Sequence, residues 1–194
     1  LHSSNTQCIE ILLEHGADLN FQNHQGNNIL HKIVAKPLAK SEFNSVISVL
    51  LAKGCNANAA NAQGDSPLIK AARQGNAEIV KLLLGHLTPS QATTKNAKGY
   101  TALHEAALWN FVDIVQLLLD RGFDVNSTDQ QGNTPLHIIG DQAFVGHNTS
   151  NLNYDPNTTL SLDNNNTPIN TGAPASISSF QKRTVEVLLK HGAD

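Results

Sequence analysis

Apolar and polar positions alternate along this chain in two recurring blocks. In runs such as Ile114-Val-Gln-Leu-Leu-Leu119, apolar residues fall three and four apart, which marks one face of an amphipathic helix. Four such runs are followed within two or three residues by a glycine, at positions 16, 54, 122 and 192, where a left-handed helix stop is usual. Ahead of the long runs lies a shorter apolar block, as in Thr101-Ala-Leu103-His104-Glu-Ala106-Ala107. It is introduced by a polar turn holding Gly26, Gly64, Gly99 or Gly132, where glycine easily meets a positive φ. Ser66, Thr101 and Thr134 stand where a hydroxyl caps the first helix. Pro67 and Pro135 follow at the first helical position, where a missing N–H has no consequence. The pattern predicts pairs of short helices, the first side-chain capped and the second glycine-terminated.

The turn glycines 26, 64, 99 and 132 are 38, 35 and 33 residues apart. A unit of roughly 33 residues cannot bury its own apolar face and must stack on its neighbours, which makes the chain a solenoid. Binding is the function such an array suits. The first surplus of residues lies around Lys36 to Glu42, where Pro37 interrupts a helix. The second lies at Leu87 to Thr94, where Leu87 takes the place of the stop glycine and Pro89 is expected to end the helix. The third is large. Gly132 and Gly192 are 60 residues apart, against 23 between Gly99 and Gly122, so some 37 residues, about 141–179, are inserted between two helices. This segment is rich in Asn and has no Lys or Arg, as befits a polar loop. Phe144, Leu152, Tyr154, Leu160 and Ile169 still offer apolar surface. Two roles stay open for it: a tolerated insertion folded on the flank, or a segment that binds or masks. Asn166-Thr167-Pro168-Ile169 imitates the start of a further unit, but one interrupted repeat is the simpler parse.

The unit Asn96-Ala-Lys-Gly99-Tyr-Thr101-Ala-Leu103-His104-Glu-Ala106-Ala107 resembles the ankyrin repeat, as do the units starting at Asn61, Asp129 and, more weakly, Asn23. The resemblance implies an all-α ankyrin-repeat solenoid of helix-turn-helix units joined by hairpin-like fingers, forming one domain over 1–194. Its parts are a partial repeat 1–22, repeats 23–60, 61–95 and 96–128, and 129–194 with the insertion. Leu1 matches mid-helix of the repeat phrase and Asp194 lies in a Gly-Ala-Asp turn, so a piece of a longer array or multidomain protein is expected. The resemblance also implies that His31, His104 and His137 tether neighbouring turns. Asn20 and Asn126 resemble asparagines hydroxylated in some ankyrin repeats, and the family uses them for hydrogen bonding within the finger.

Partners of the family bind its concave side of finger tips and first helices. The finger tips here are His24, Gln25 and Asn27; Gln63 and Asp65; Lys98 and Tyr100; and Gln130, Gln131 and Asn133. The helix exits add Arg73, Gln74, Leu108, Trp109, Asp141 and Gln142. From this set the expected partner-binding residues are Tyr100, Trp109, Arg73, Gln74, Lys98, Leu108, Asp65, Gln131, Asn133 and Asp141. The single Trp and one of two Tyr fall in one unit whose core places are already filled, and aromatic residues dominate binding hot spots. Packing of the inserted loop on Trp109 is the competing use.

Composition narrows the rest. With 40% apolar residues, 15% charged and a net charge of −3, the chain suits one elongated domain and has no basic field for nucleic acid. No stretch nears the roughly 18 apolar residues of a membrane span and no signal segment is visible, so membrane insertion is not expected and a cytoplasmic, intracellular module is. Cys8 and Cys55 take places normally buried by stacking and read as small hydrophobes. The histidines lack zinc-site spacing, and no phosphate-cradling loop or nucleophile elbow is present. His147, Asp155 and Asp163 would form a site only by converging on a ligand. The expectation is a monomeric, non-enzymatic protein-interaction module with no catalytic residue, metal or cofactor. A substrate-recruiting or autoinhibitory arm of a larger enzyme or secreted effector is the alternative.

Overall fold

The computed structural model describes residues 4–35, 42–145 and 179–193. Their elements are α1 (Ser4–Glu14), α2 (Ile29–Val34), α3 (Glu42–Ala52), α4 (Pro67–Arg73), α5 (Ala77–Leu84), α6 (Pro89–Ala92), α7 (Ala102–Leu108), α8 (Val112–Asp120), α9 (Pro135–Val145) and α10 (Ser179–Lys190). No strand occurs among the described residues. The segment around Pro37 and most of the insertion, including Asn166 to Ile169, lie outside them.

The helices form two rows. First helices α2, α4, α7 and α9 pack on one another in sequence order, and second helices α1, α3, α5, α8 and α10 do the same. Between the rows runs a continuous apolar core. Leu30, Leu68 and Leu103 enter it from the first row and Leu50, Leu83, Leu118 and Leu188 from the second, all fully buried. The first row packs closely because Ala71, Ala72, Ala106 and Ala107 keep side chains small there.

Both kinds of helix end behave as the pattern requires. Ser66 and Thr101 accept the backbone N–H of Ile69 and His104 at 3.3 and 3.4 Å. In the unit that lacks a hydroxyl, Asn28 takes over and accepts from His31 N at 3.2 Å. At the other end Gly54 adopts φ 91° and donates to Leu51 O, while Cys55 N donates to Leu50 O, the paired bonds of a left-handed helix stop.

Three local expectations are corrected. Pro89 does not end a helix; it opens α6, because Thr88 and Gln91 form a reciprocal capping box. The preceding helix has already stopped at Leu84, with right-handed Gly85 (φ −69°) at its cap. Cys8 is exposed while Cys55 is buried, since α1 lies at the edge of its row and leaves one side open at Ile11 and Leu12. Burial pushes the Cys55 thiol up to about 11. Asn20 bonds across units and not only within its own: its Oδ1 accepts Asn56 N at 2.7 Å, and Asn126 Nδ2 likewise donates to Gly192 O at 3.1 Å.

Candidate functional site

The fingers are built from an acceptor side chain that folds the backbone around itself. Asn96 Oδ1 accepts Lys98 N at 2.9 Å and Tyr100 N at 3.0 Å, and Asn96 N donates back to Tyr100 O at 2.9 Å. Asn23, Asn61 and Asp129 do the same in their units. Each local loop satisfies its own polar groups, as expected of Asx turns. Successive loops are then joined tip to tip by peptide groups. Ala62 N donates to Gln25 O at 3.0 Å, Ala97 N to Gln63 O at 3.0 Å and Gln130 N to Lys98 O at 3.2 Å.

Histidines tie the fingers to the first helices. His31 Nε2 lies 2.9 Å from Asp65 O and His104 Nε2 lies 3.3 Å from Asn133 O, each reaching the next finger. Their Nδ1 atoms face Asn28 and Thr101, so the ring spans a helix start and a neighbouring turn. Burial lowers the pKa of both His31 and His104, and the hydrogen bonds to Asp65 and Asn133 only partly oppose it.

At the centre of this face three charges meet across two units. Arg73, the last residue of α4, reaches both carboxylate oxygens of Asp65, at 2.6 and 3.0 Å. The same guanidinium donates to Glu105 Oε1 on α7 at 2.7 Å. Asn96 Nδ2 adds a third bond to the Asp65 carboxylate at 2.9 Å. Burial opposes charge on Asp65, yet the bonds from Arg73 and Asn96 prevail and hold its carboxyl below the usual range. Burial likewise opposes the guanidinium, and Glu105 and Asp65 more than offset it. Planar, bidentate pairing of this kind is what Arg does and Lys does not.

The unit that supplies Glu105 carries an aromatic side chain at each end of α7. Tyr100 stacks on His104 with ring centroids 5.4 Å apart and planes 18° from parallel, so the finger side chain lies flat over the helix start. Trp109 caps the C-terminus of α7 and is 45% exposed, and Leu108 before it is half-buried. Its neighbour Phe111 packs back on the previous unit, with its ring over Gly75.

The expected binding residues thus separate into groups. Tyr100, Leu108 and Trp109 share one unit, with exposed Lys98 at its finger tip. Gln74 and Gln131 are exposed and Asn133 is half-buried, its Nδ2 donating to Asp129 Oδ2 at 3.2 Å. Asp65 is buried and Arg73 is engaged with it, so both have internal partners. Asn27 is also buried, its Oδ1 accepting Asn61 Nδ2 at 3.1 Å and Lys70 Nζ at 3.3 Å. Asp141 lies in α9; its side chain and that of Gln142 fall outside the described residues. His147, Asp155 and Asp163 lie outside them altogether. Sequence reasoning missed Glu105, although opposite charges 32 residues apart, at nearly one repeat, were the available signal.

Among the described residues no cluster of three or more His, Cys, Asp or Glu is placed to hold a metal ion. No described helix is long and apolar enough to cross a membrane.

Paired helices in two rows, joined by hydrogen-bonded fingers, define a repeat solenoid of the helix-turn-helix class. The family model for ankyrin repeats (3 copies) matches residues 38–129 and 87–142. The chain belongs to the ankyrin-repeat family, whose members are generally protein–protein interaction modules and generally non-enzymatic. It is 32% identical over 145 residues to putative ankyrin repeat protein YahD of Escherichia coli (strain K12), covering 71% of this chain and 68% of that protein. It is 37% identical over 99 residues to alpha-latroinsectotoxin-Lt1a of Latrodectus tredecimguttatus, 51% of this chain and 7% of the toxin. With the nuclear factor NF-kappa-B p105 subunit of Gallus gallus it shares 32% over 144 residues, 72% of this chain and 14% of that protein. The chain therefore spans only a small part of the last two.

Proposed function

We propose that this chain recognises a partner protein through the face made by its first helices and finger tips, with Tyr100, Leu108 and Trp109 as the anchor and Lys98, Gln74 and Gln131 around it. The observation that carries this reading is the 45% exposure of Trp109 at the end of α7, in a unit whose core is otherwise closed and whose Tyr100 stacks on His104 at the helix start. A large aromatic left in water beside polar groups suits a hot spot, where truncation typically costs about 2 kcal/mol or more. Arg73 and Asp65 serve this face indirectly, by locking α4 to α7. Free Cys8 and Cys55, the former exposed, suit a reducing intracellular compartment and a cytoplasmic location.

The test is affinity capture from lysate by the wild-type protein and by a Tyr100→Ala, Trp109→Ala double variant, with circular dichroism on both. Proteins held by the first and lost by a fully helical variant support the site. An unchanged set on the folded variant rejects it.

A further inference from the structure

We propose that the segment bound by this face is an extended acidic peptide carrying one large apolar side chain about one repeat unit away from its negative charges. The inference rests on the recognition reading above and assigns the partner's chemistry.

The chain as a whole has net charge −3, while the first-helix and finger face carries Lys32, Lys70, Arg73 and Lys98 against Asp65, Glu105 and Asp129 among the residues whose side chains are described. Lys32 on α2 and Lys70 on α4 hold equivalent places in successive units, each following the buried third residue of its helix. Burial, and then the positive charges of Arg73 and Lys32 working against nearby Asp65, keep the Lys70 ammonium below its ordinary pKa. The carboxylates here are already satisfied. Asp65 and Glu105 both accept from Arg73, and Asp129 accepts the amides of Gln131 and Asn133 in its own finger. A guest carboxylate therefore meets exposed Lys32 and half-buried Lys70 without breaking an ion pair, Lys70 Nζ having one donor committed to Asn27 Oδ1 at 3.3 Å and two left. A guest cation finds no carboxylate without a donor among these three.

One unit further on the character changes. Tyr100, Leu108 and Trp109 present apolar surface, with Lys98 at the finger tip. Neighbouring helices pack about 8–10 Å apart, and an extended chain advances about 3.3 Å per residue, so roughly three residues separate the guest's charge from its anchor. Acidic residues steer the encounter and the apolar side chain prolongs it.

A random dodecapeptide display library selected on three proteins tests this: the wild type, a Lys32→Glu, Lys70→Glu variant, and the Tyr100→Ala, Trp109→Ala variant. Circular dichroism checks folding, and Lys32→Glu alone replaces the double reversal should that misfold. The wild type is expected to enrich Asp and Glu roughly three residues from Phe, Trp or Leu. A peptide so selected is expected to bind the charge-reversed protein roughly tenfold more weakly and to weaken with added salt. Peptides that depend on Trp109 but show no acidic excess, or an identical pool on the charge-reversed protein, overturn this inference and leave the recognition site standing. A pool that ignores the loss of Tyr100 and Trp109, or no enrichment at all, overturns both. Equal competition by heparin reduces the effect to undirected charge and also overturns the inference.

Discussion

Replacing Arg73 with Met keeps the length of the apolar stem but removes the guanidinium that joins two units. Asp65 and Glu105, with side chains only 5% and 4% exposed, are then left without their cation. Removing one partner of a buried ion pair typically costs about 3–5 kcal/mol, most of it the penalty on the stranded charge. Arg73 is itself 30% exposed, so water reaches the vacated position, and Asp65 retains Asn96. The lower figure of about 2–3 kcal/mol is therefore expected, read as a shift in the urea midpoint followed by circular dichroism. Adding Asp65→Asn and Glu105→Gln to the same protein is expected to recover most of the loss, because the cost lies in charge and not in shape. Acid does likewise at Asp65: its carboxyl is held below the usual range in the wild type, so the stability it contributes is lost as pH falls through and below that range, and the Met variant and wild type converge there. A loss below roughly 0.5 kcal/mol, or one that the neutralising substitutions leave unchanged, refutes the assignment of the triad as a lock between units.

Other consequences can be measured in the same way. Gly99 has φ 82° and an added Cβ would lie 2.6 Å from Gln130 N, whereas Gly132 has φ 85° and open space. Both alanine variants carry left-handed strain of about 1–2 kcal/mol, and Gly99→Ala is expected to exceed Gly132→Ala by a further 1 kcal/mol or so in urea. His31 and His104 have lowered folded pKa values, so their contribution is complete above the unfolded value of 6.5 and is lost as pH falls below it. The urea midpoint should therefore drop between pH 7.5 and 5.5, and His31→Gln, His104→Gln should flatten that slope; an unchanged slope would contradict the tether. With iodoacetamide at neutral pH, mass spectrometry should find Cys8 alkylated in the native protein and Cys55 only after unfolding, and early labelling of Cys55 would speak against its burial.

Most of the scaffold was legible because its signals are local. Ser66, Thr101, Pro67 and the two sets of glycines each state a backbone requirement within a few residues, and the structure meets them. What stayed hidden depended on neighbours. Asp65 reads as a finger-tip acid until Arg73, eight residues on, and Asn96, 31 residues on, draw it inward. Glu105 has an unremarkable place in its helix, and only stacking brings it to Arg73. Cys8 occupies a core position by pattern, yet core positions bury a side chain only when both flanks are covered. Pro89 was ambiguous because proline ends one helix and begins another with equal ease, and the capping partner Gln91 decides between them. The aromatic side chains were legible in part: Trp109 and Tyr100 were visible as misplaced aromatics, but the stacking of Tyr100 on His104 was not.

The tip-to-tip bonds between fingers join peptide to peptide, at Gln25 and Ala62, Gln63 and Ala97, and Lys98 and Gln130. At the last of them the Gln130 side chain adds a bond of its own, Nε2 donating to Ala97 O at 2.7 Å, while the side chains of Gln25, Gln63 and Lys98 stand outside the peptide links. Mutation can therefore rewrite the exposed vocabulary of those three tips while the grammar that spaces them stays intact. At Gln25, Gln63 and Lys98 selection for a new partner and selection for a folded chain act on separate atoms, whereas at Asn27, Asp65 and Gln130 the same side chain answers to both.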